Sequence, residues 1–224
     1  GSDRAPAPSF RSKQCANAIQ WALGLEFLLL MDDLDKVNIS TDHPNGGPFT
    51  FYPIIFSWLM SRDARENMLQ RASKAASEKT SLADLTRELS LSEIVQVSRL
   101  SAAKILGLEQ KGHLGKGADA DVAIYDFNCP IDELAKNYQE IEKGFAEAAY
   151  TIKDGIIVYH NKEILANHLG RTFHVKPKVP EDWRLQIQDA IEERFQKYYT
   201  VNLGNYAIQK EYFPREEIIR SEIK

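Results

Sequence analysis

A β-branched run, Val37 to Thr41, ends in Asp42-His43-Pro44 and continues through Asn45-Gly46-Gly47-Pro48. Two of these side chains can move protons or hold a metal: Asp42 as a general acid or base, His43 as a base or a ligand. Asn45, Gly46 and Gly47 read in two ways. They form a turn, or their glycines let backbone N–H groups approach a carboxylate oxygen. Local sequence favours a plain role for Asp42 too, as an Asx-turn residue ahead of Pro44. For His43 the turn role outweighs the ligand role.

The surrounding elements must position whatever this stretch does. Asn17 to Met31 sets Ile19, Leu23, Glu26, Phe27 and Leu30 at helical spacings, which predicts a mostly buried helix. Val37 to Thr41 alternates as a parallel strand would. Pro53 suits the first turn of a helix running through Ile54, Trp58 and Leu59 toward Ala72. Residues 74–80 form a polar connector. Ser81 with Asp84 resembles a capping box, and Ser90 with Glu93 is a better one. The second opens a helix with Ile94, Val97, Ala102 and Ile105 near one face and Gly107 just past its end.

Beyond Gly107 the texture becomes β-rich. A glycine-studded approach leads to a strand Val122 to Phe127, and a short helix covers Asn137 to Ala146. Asp154-Gly155 marks a hairpin, and a further strand lies near Arg171 to Val175. Pro180-Glu181-Asp182 starts a long amphipathic helix to about Tyr199. The chain thus divides into an extended lead-in (1–13), a helix–strand–helix–helix segment (14–110), a β-rich segment (111–176) and a C-terminal helix with a tail (177–224).

Composition narrows the class. The chain has 224 residues, net charge −4, 43% hydrophobic and 27% charged residues, enough for one or two globular domains with a full core. No basic stripe offers a nucleic-acid footprint. Cys15 and Cys129 stand alone, so neither a disulfide framework nor a zinc knuckle is signalled. Trp21 to Met31 carries Glu26 and is too short to span a bilayer. With no signal peptide, the cytoplasm is the default compartment. Trp21, Phe27, Phe51, Tyr52 and Trp58 read as core, Phe51 and Tyr52 being also next to the Asp42 loop. Asp119-Ala120-Asp121 has the look of a metal pair.

Residues 90–127, SLSEIVQVSRLSAAKILGLEQKGHLGKGADADVAIYDF, resemble the end of the amidohydrolase superfamily. NAIQWALGLEFLLL with TDHPNGGPFTFYP resembles, more sharply, the C-terminal part of the A subunits of formylmethanofuran dehydrogenases. The resemblance implies an α/β fold: the C-terminal part of a metal-dependent (β/α)8 barrel plus part of its β-sandwich. Active sites of such barrels lie at the C-terminal ends of the strands. It places Asp42 at the end of the last barrel strand, where it contacts the metal centre and shuttles protons. Asn45, Gly46 and Gly47 become substrate-side residues, and Asp119-Ala120-Asp121 a turn into the sandwich. The implied activity is zinc-dependent condensation of formate with methanofuran, or the reverse hydrolysis, within carbon dioxide reduction and methanogenesis. The implied partners are iron–sulfur subunits together with one that carries a molybdenum- or tungsten-pterin. The charged helix Glu181 to Lys197 is then either a solvated face or a dock for one of them.

The departure from that family is large. Its binuclear zinc site takes a His-x-His, a carboxylated Lys and two further histidines. Here His43, His113, His160, His168 and His174 include no His-x-His pair, and one barrel-type strand is visible where eight are expected. The expectation is therefore a C-terminal portion, inactive and without zinc by itself. Two alternatives stay open. One is a hydantoinase-like cyclic-amide hydrolase, which the Asn45-Gly46-Gly47-Pro48 loop argues against. The other is a scaffold subunit of a formyltransferase/hydrolase complex that has lost its metal ligands.

Overall fold

The computed structural model describes residues 13–44, 47–199, 202–206, 211 and 216–222. Two compact units divide between Ala166 and Asn167. The first begins with helix α1 (Cys15–Leu30), a 3-10 turn (Leu34–Lys36) and helices α2 (Tyr52–Met60), α3 (Arg62–Arg71) and α4 (Lys74–Ser77). Pro53 sits in the first turn of α2, where its missing N–H costs nothing. A long helical segment follows: α5 (Leu91–Val95), a π-turn (Gln96–Leu100) and α6 (Ser101–Ile105). Its start is the Ser90–Glu93 capping box. Ser90 Oγ accepts the Glu93 N–H at 3.3 Å, and the Glu93 carboxylate accepts the Ser90 N–H at 2.8 Å. Such a cap stabilises a helix by about 1 kcal/mol. Gly107, with φ +69°, ends the segment.

Leu29, Leu59, Leu82, Leu89, Ile94 and Val97 make the core these helices share. Helix α7 (Tyr138–Ala146) closes it, packing Phe145 edge-on to Phe56 of α2 at 4.9 Å and accepting the Ser57 hydroxyl on Glu142 at 2.8 Å. Two arginines serve the backbone inside. Arg65 is fully buried and donates to the carbonyls of Trp58, Leu85 and Arg87 at 2.8, 3.2 and 2.9 Å. Burial lowers its pKa, and the nearby Glu88 charge works the other way. Arg87 donates to Leu29 and Met31 carbonyls at 3.0 and 2.8 Å, capping the end of α1. Both cations satisfy carbonyls at helix C-termini, where positive charge is favoured.

The rest of the first unit is an antiparallel sheet in the order β1 (Val122–Ile124), β2 (Tyr150–Lys153), β3 (Ile156–His160), β4 (Glu163–Ile164). The β2–β3 turn is Asp154-Gly155, both left-handed at φ 50° and 80°, as the tightest hairpins require. Asp121 locks it. Its carboxylate accepts from Lys111 Nζ at 2.6 Å, Lys153 Nζ at 2.8 Å and the Asp154 N–H at 2.9 Å. Desolvation would raise its pKa, but the hydrogen bonds from Lys111 and Lys153, followed by the Asp154 N–H, bring it down to about 2. The second unit holds β5 (Thr172–Lys178), paired in parallel with β6 (Glu216–Glu222), and the helix α8 (Glu181–Tyr199), none of whose described residues is buried.

Several sequence expectations need correcting. Val37 to Thr41 is not a strand: no neighbouring strand pairs with it among the described residues, although Val37 and Ile39 are buried while Asn38 and Ser40 are exposed. The alternation was right and the ladder is missing. No strand of a parallel barrel is found among the described residues of the first unit, whose sheet is antiparallel. The helix expected from Pro53 to Ala72 breaks at Ser61, whose backbone is extended. Residues 74–77 of the polar connector are helical. Ser81 starts no helix, because Glu26 draws its N–H and hydroxyl at 2.6 and 2.9 Å. Helix α1 is one-sided. Ala18, Ala22, Leu25, Leu28 and Leu29 are buried, whereas Ile19, Leu23, Phe27 and Leu30 are 41–63% exposed along one stripe. Phe27 is thus no core residue here.

Two outcomes follow from these contacts. A stripe of four large apolar side chains on one helix exceeds what scattered surface residues present, and it favours association. Light scattering of the isolated chain should give a mass above the monomer that rises with concentration; a monomer at every concentration would contradict it. The Asp121 lock makes stability depend on acid. Its folded pKa lies below the ordinary value, so its contribution is complete above about pH 4 and disappears as pH falls through about 2. With the carboxylate 32% exposed, Asp121→Asn should cost about 1–2 kcal/mol at pH 7 in urea unfolding and progressively less as the pH falls through about 2. A difference that does not change with pH would show that charge is not what holds the turn.

Candidate functional site around Asp42

The helical segment from Ser90 to Ile105 is the rail on which the Asp42 stretch rides. Within the π-turn the Ser101 N–H reaches back to the Gln96 carbonyl instead of the Val97 carbonyl. The Val97 carbonyl accepts the Ile39 N–H at 3.0 Å. Neighbouring side chains repeat the attachment. Gln96 donates to Asp35 at 2.8 Å, Lys104 pairs with the same carboxylate, and the buried Ser101 hydroxyl donates to the Leu34 carbonyl at 2.7 Å. The Lys104 hydrogen bond, followed by that from Gln96, holds Asp35 below the usual carboxylate pKa range. With Val37 and Ile39 anchored inward, the chain leaves the core at Thr41 and delivers Asp42 to the surface.

Asp42 has a left-handed backbone, φ 50°, a conformation that Asp tolerates better than most residues. Its N–H donates to Ser40 Oγ at 3.2 Å, and its side chain is exposed. His43 precedes a cis bond to Pro44. Its Nδ1 accepts the Phe49 N–H at 3.3 Å, and its ring lies 4.7 Å from the Phe49 ring. A ring nitrogen that accepts an N–H bears no proton, so the imidazole proton sits on Nε2. Asn45 and Gly46 lie outside the described residues. At Gly47 an added Cβ would meet the Thr41 carbonyl at 3.7 Å, an ordinary contact, so space does not demand glycine there. Phe51 and Tyr52 are half-buried, and Tyr52 leans on Phe56 at 5.8 Å.

The arrangement offers an exposed carboxylate on a backbone tied to the core through Ile39. It does not offer a metal centre. Among the described residues the one group of three metal-type ligands is Asp119, Asp121 and Asp154, whose oxygens lie within 4.8 Å of one another. The ammonium groups of Lys111 and Lys153 already occupy those oxygens, at 2.6–2.9 Å. His113 and His160 are engaged elsewhere, His113 with the Gly115 N–H and His160 stacked on Tyr150. The described residues therefore do not fit a binuclear zinc site. Sequence reasoning missed Ser40 and the π-turn. Ser40 carries no signal beyond its position, two residues before Asp42. The turn is hidden because Ile94, Val97 and Ala102 read as a regular helix face.

Known proteins resemble this chain over most of its length. Protein FwdA of Methanocaldococcus jannaschii is 42% identical over 205 residues, covering 91% of this chain and 35% of that protein. In Methylorubrum extorquens, the A subunit of the formyltransferase/hydrolase complex Fhc is 32% identical over 205 residues, covering 92% of this chain and 35% of its own. The crystal structure of that organism's formyltransferase/hydrolase complex with methylofuran contains a chain that superposes with a TM-score of 0.75. It is 31% identical and covers 96% of this chain and 37% of that one. This chain thus spans about a third of the length of these relatives. Among the described residues no helix is long and apolar enough to cross a membrane. Residues 11–159 match the amidohydrolase family (Amidohydro_3), two thirds of the sequence and all of the Asp42 site, and the chain belongs to that family.

Proposed function

We propose that this chain is part of the A subunit of a formylmethanofuran dehydrogenase. In this reading Asp42 moves the proton when the N–formyl amide is made from formate and methanofuran or hydrolysed back. The observation that carries the reading is the placement of Asp42: an exposed carboxylate at the end of a segment anchored in the core. A general acid–base must be positioned yet reach substrate, and this one stands exposed three residues beyond the buried Ile39. Amide formation from a protonated amine and formate takes two protons from the nitrogen and gives both to the departing formate oxygen, which leaves as water as the C–N bond forms. Hydrolysis runs the same transfers backwards. One carboxylate standing between the two atoms serves both directions.

In the complete protein this reading includes a binuclear zinc centre with Asp42 as one ligand. The other ligands would come from residues outside this chain. Bound zinc would supply charge to the reacting oxygen. The remaining partners are molybdenum- or tungsten-pterin and iron–sulfur subunits that make formate from carbon dioxide, in a cytoplasmic complex. Asn45, Gly46 and Gly47 would face the substrate. Resemblance to the Fhc relative supports formyl-group chemistry and a multi-subunit setting. A second reading is a scaffold subunit that keeps the fold without the chemistry; a His-x-His and a middle-strand Lys in the rest of the protein favour the enzyme, and a rest of the protein without them favours the scaffold.

Asp42→Asn in the complete protein separates them. Asn keeps the size and the left-handed turn but cannot act as a base, and a positioned acid–base group contributes about 10²–10⁴ in rate. Condensation of formate with methanofuran and its reverse should both fall by that order. Carbon dioxide reduction to formate should be nearly unchanged, so formate accumulates. Undiminished condensation would make Asp42 a turn residue and favour the scaffold.

A further inference from the structure

We propose that His43 is the positioning residue of the Asp42 loop: its Nδ1 acts as a fixed acceptor for the Phe49 N–H and thereby sets where the Asp42 carboxylate points. As to its consequence for catalysis, this rests on the reading of Asp42 as the proton carrier. Among the described residues Asp42 has little else to hold it. Upstream it is tied through Ser40 and the buried Ile39, and its own side chain is exposed. Downstream, the next fixed points among the described residues are the Phe51 N–H, given to the Pro48 carbonyl at 2.9 Å, and the start of α2. The 3.3 Å bond from the Phe49 N–H to His43 spans six residues and ties the two ends of the loop together. The ring contact with Phe49 adds to it.

The bond also dictates the chemistry of the imidazole. With Nδ1 committed as an acceptor, the proton is on Nε2, and Nδ1 has no lone pair left for a metal. His43 therefore steers Asp42 rather than joining it as a ligand. The left-handed backbone at Asp42, tolerated by Asp but more costly than for glycine, is one more reason for the loop to be braced.

The substitutions that test this differ in where they put an acceptor. His43→Asn sets an oxygen near the position of Nδ1, His43→Gln sets one near Nε2, and His43→Phe keeps a ring without an acceptor. In the 224-residue chain, amide exchange of Phe49 should be slow in the wild type and in His43→Asn. It should speed up about tenfold in His43→Gln and His43→Phe, while core amides such as Leu59 and Leu89 stay unchanged. Imidazole ¹⁵N shifts should report the Nε2–H tautomer. In the complete protein, kcat for the formyl condensation should follow the same order. His43→Phe should lose about 10² with KM nearly constant, and His43→Asn should recover most of that loss, as a displaced catalytic group implies. Phe49 protection retained in His43→Phe, or an Nδ1–H tautomer, overturns the proposal. So does a kcat loss in His43→Asn equal to that in His43→Phe. If Asp42→Asn is fully active, the proton-carrier reading falls, and the Phe49 amide still decides whether His43 holds the loop.

Discussion

The Asp42 site hangs from one hydrogen bond between two backbone groups that have each lost their ordinary partner. The π-turn sends the Ser101 N–H past the Val97 carbonyl to Gln96, and the Ile39 N–H has no strand beside it among the described residues. Each group supplies what the other lacks. A buried backbone group left unpaired costs about 1–3 kcal/mol, so the bond is worth more than its net strength as an isolated contact. It fixes the register of Val37 and Ile39 in the core, and that register sends Asp42 outward. Shifting the segment by one residue would bury Asn38 and Ser40 and turn the site over. Single π-turns recur at functional sites because they free a carbonyl where a regular helix has none to spare.

Charge inside the first unit does related work. Arg65 and Arg87 carry their guanidinium groups to carbonyls at the ends of α2 and α1, the two helices on either side of the Asp42 stretch. A planar, always-charged group with several N–H donors can hold diverging carbonyls where a lysine could not. The chain is therefore ordered on both sides of residues 31–51 by groups that serve the backbone. The apolar stripe of α1 is, by contrast, an unmet demand, and it fits a chain that spans about a third of the length of its relatives.

Much of this could be read from residue types. The Ser90–Glu93 capping box, Pro53 in the first turn of α2, Gly107 beyond α6 and the Asp154-Gly155 turn all appear where local rules put them, because each depends on a few neighbouring atoms. The amidohydrolase resemblance was likewise carried by short, unusual strings and matches the family found over residues 11–159. What failed depends on distant partners. Val37 to Thr41 has the alternation of a strand and no ladder, since a ladder belongs to two segments. Ser81 was taken from its local capping role by Glu26, 55 residues away in sequence. The buried face of α1 followed from packing on one side, which periodicity does not reveal when both faces are apolar. At the site, Asp42 was found from its context, while its supports, Ser40, Val97 and the Nδ1 of His43, carry no signal of their own.

If Asp42 ends a barrel strand in the complete protein, as its proposed role implies, then Val37 to Thr41, which has no ladder here among the described residues, gains strand neighbours there. Amide hydrogen exchange at Asn38 and Ser40 tests it most directly, because these N–H groups alternate with that of Ile39. They should exchange freely in the 224-residue chain, where Ile39 alone is protected by Val97. In the complete protein they should become protected by at least about 10²-fold, as ladder hydrogen bonds in a core strand require. Equal, fast exchange at Asn38 and Ser40 in both forms would show that the segment is an extended loop, and the barrel-strand account of Asp42 would be wrong.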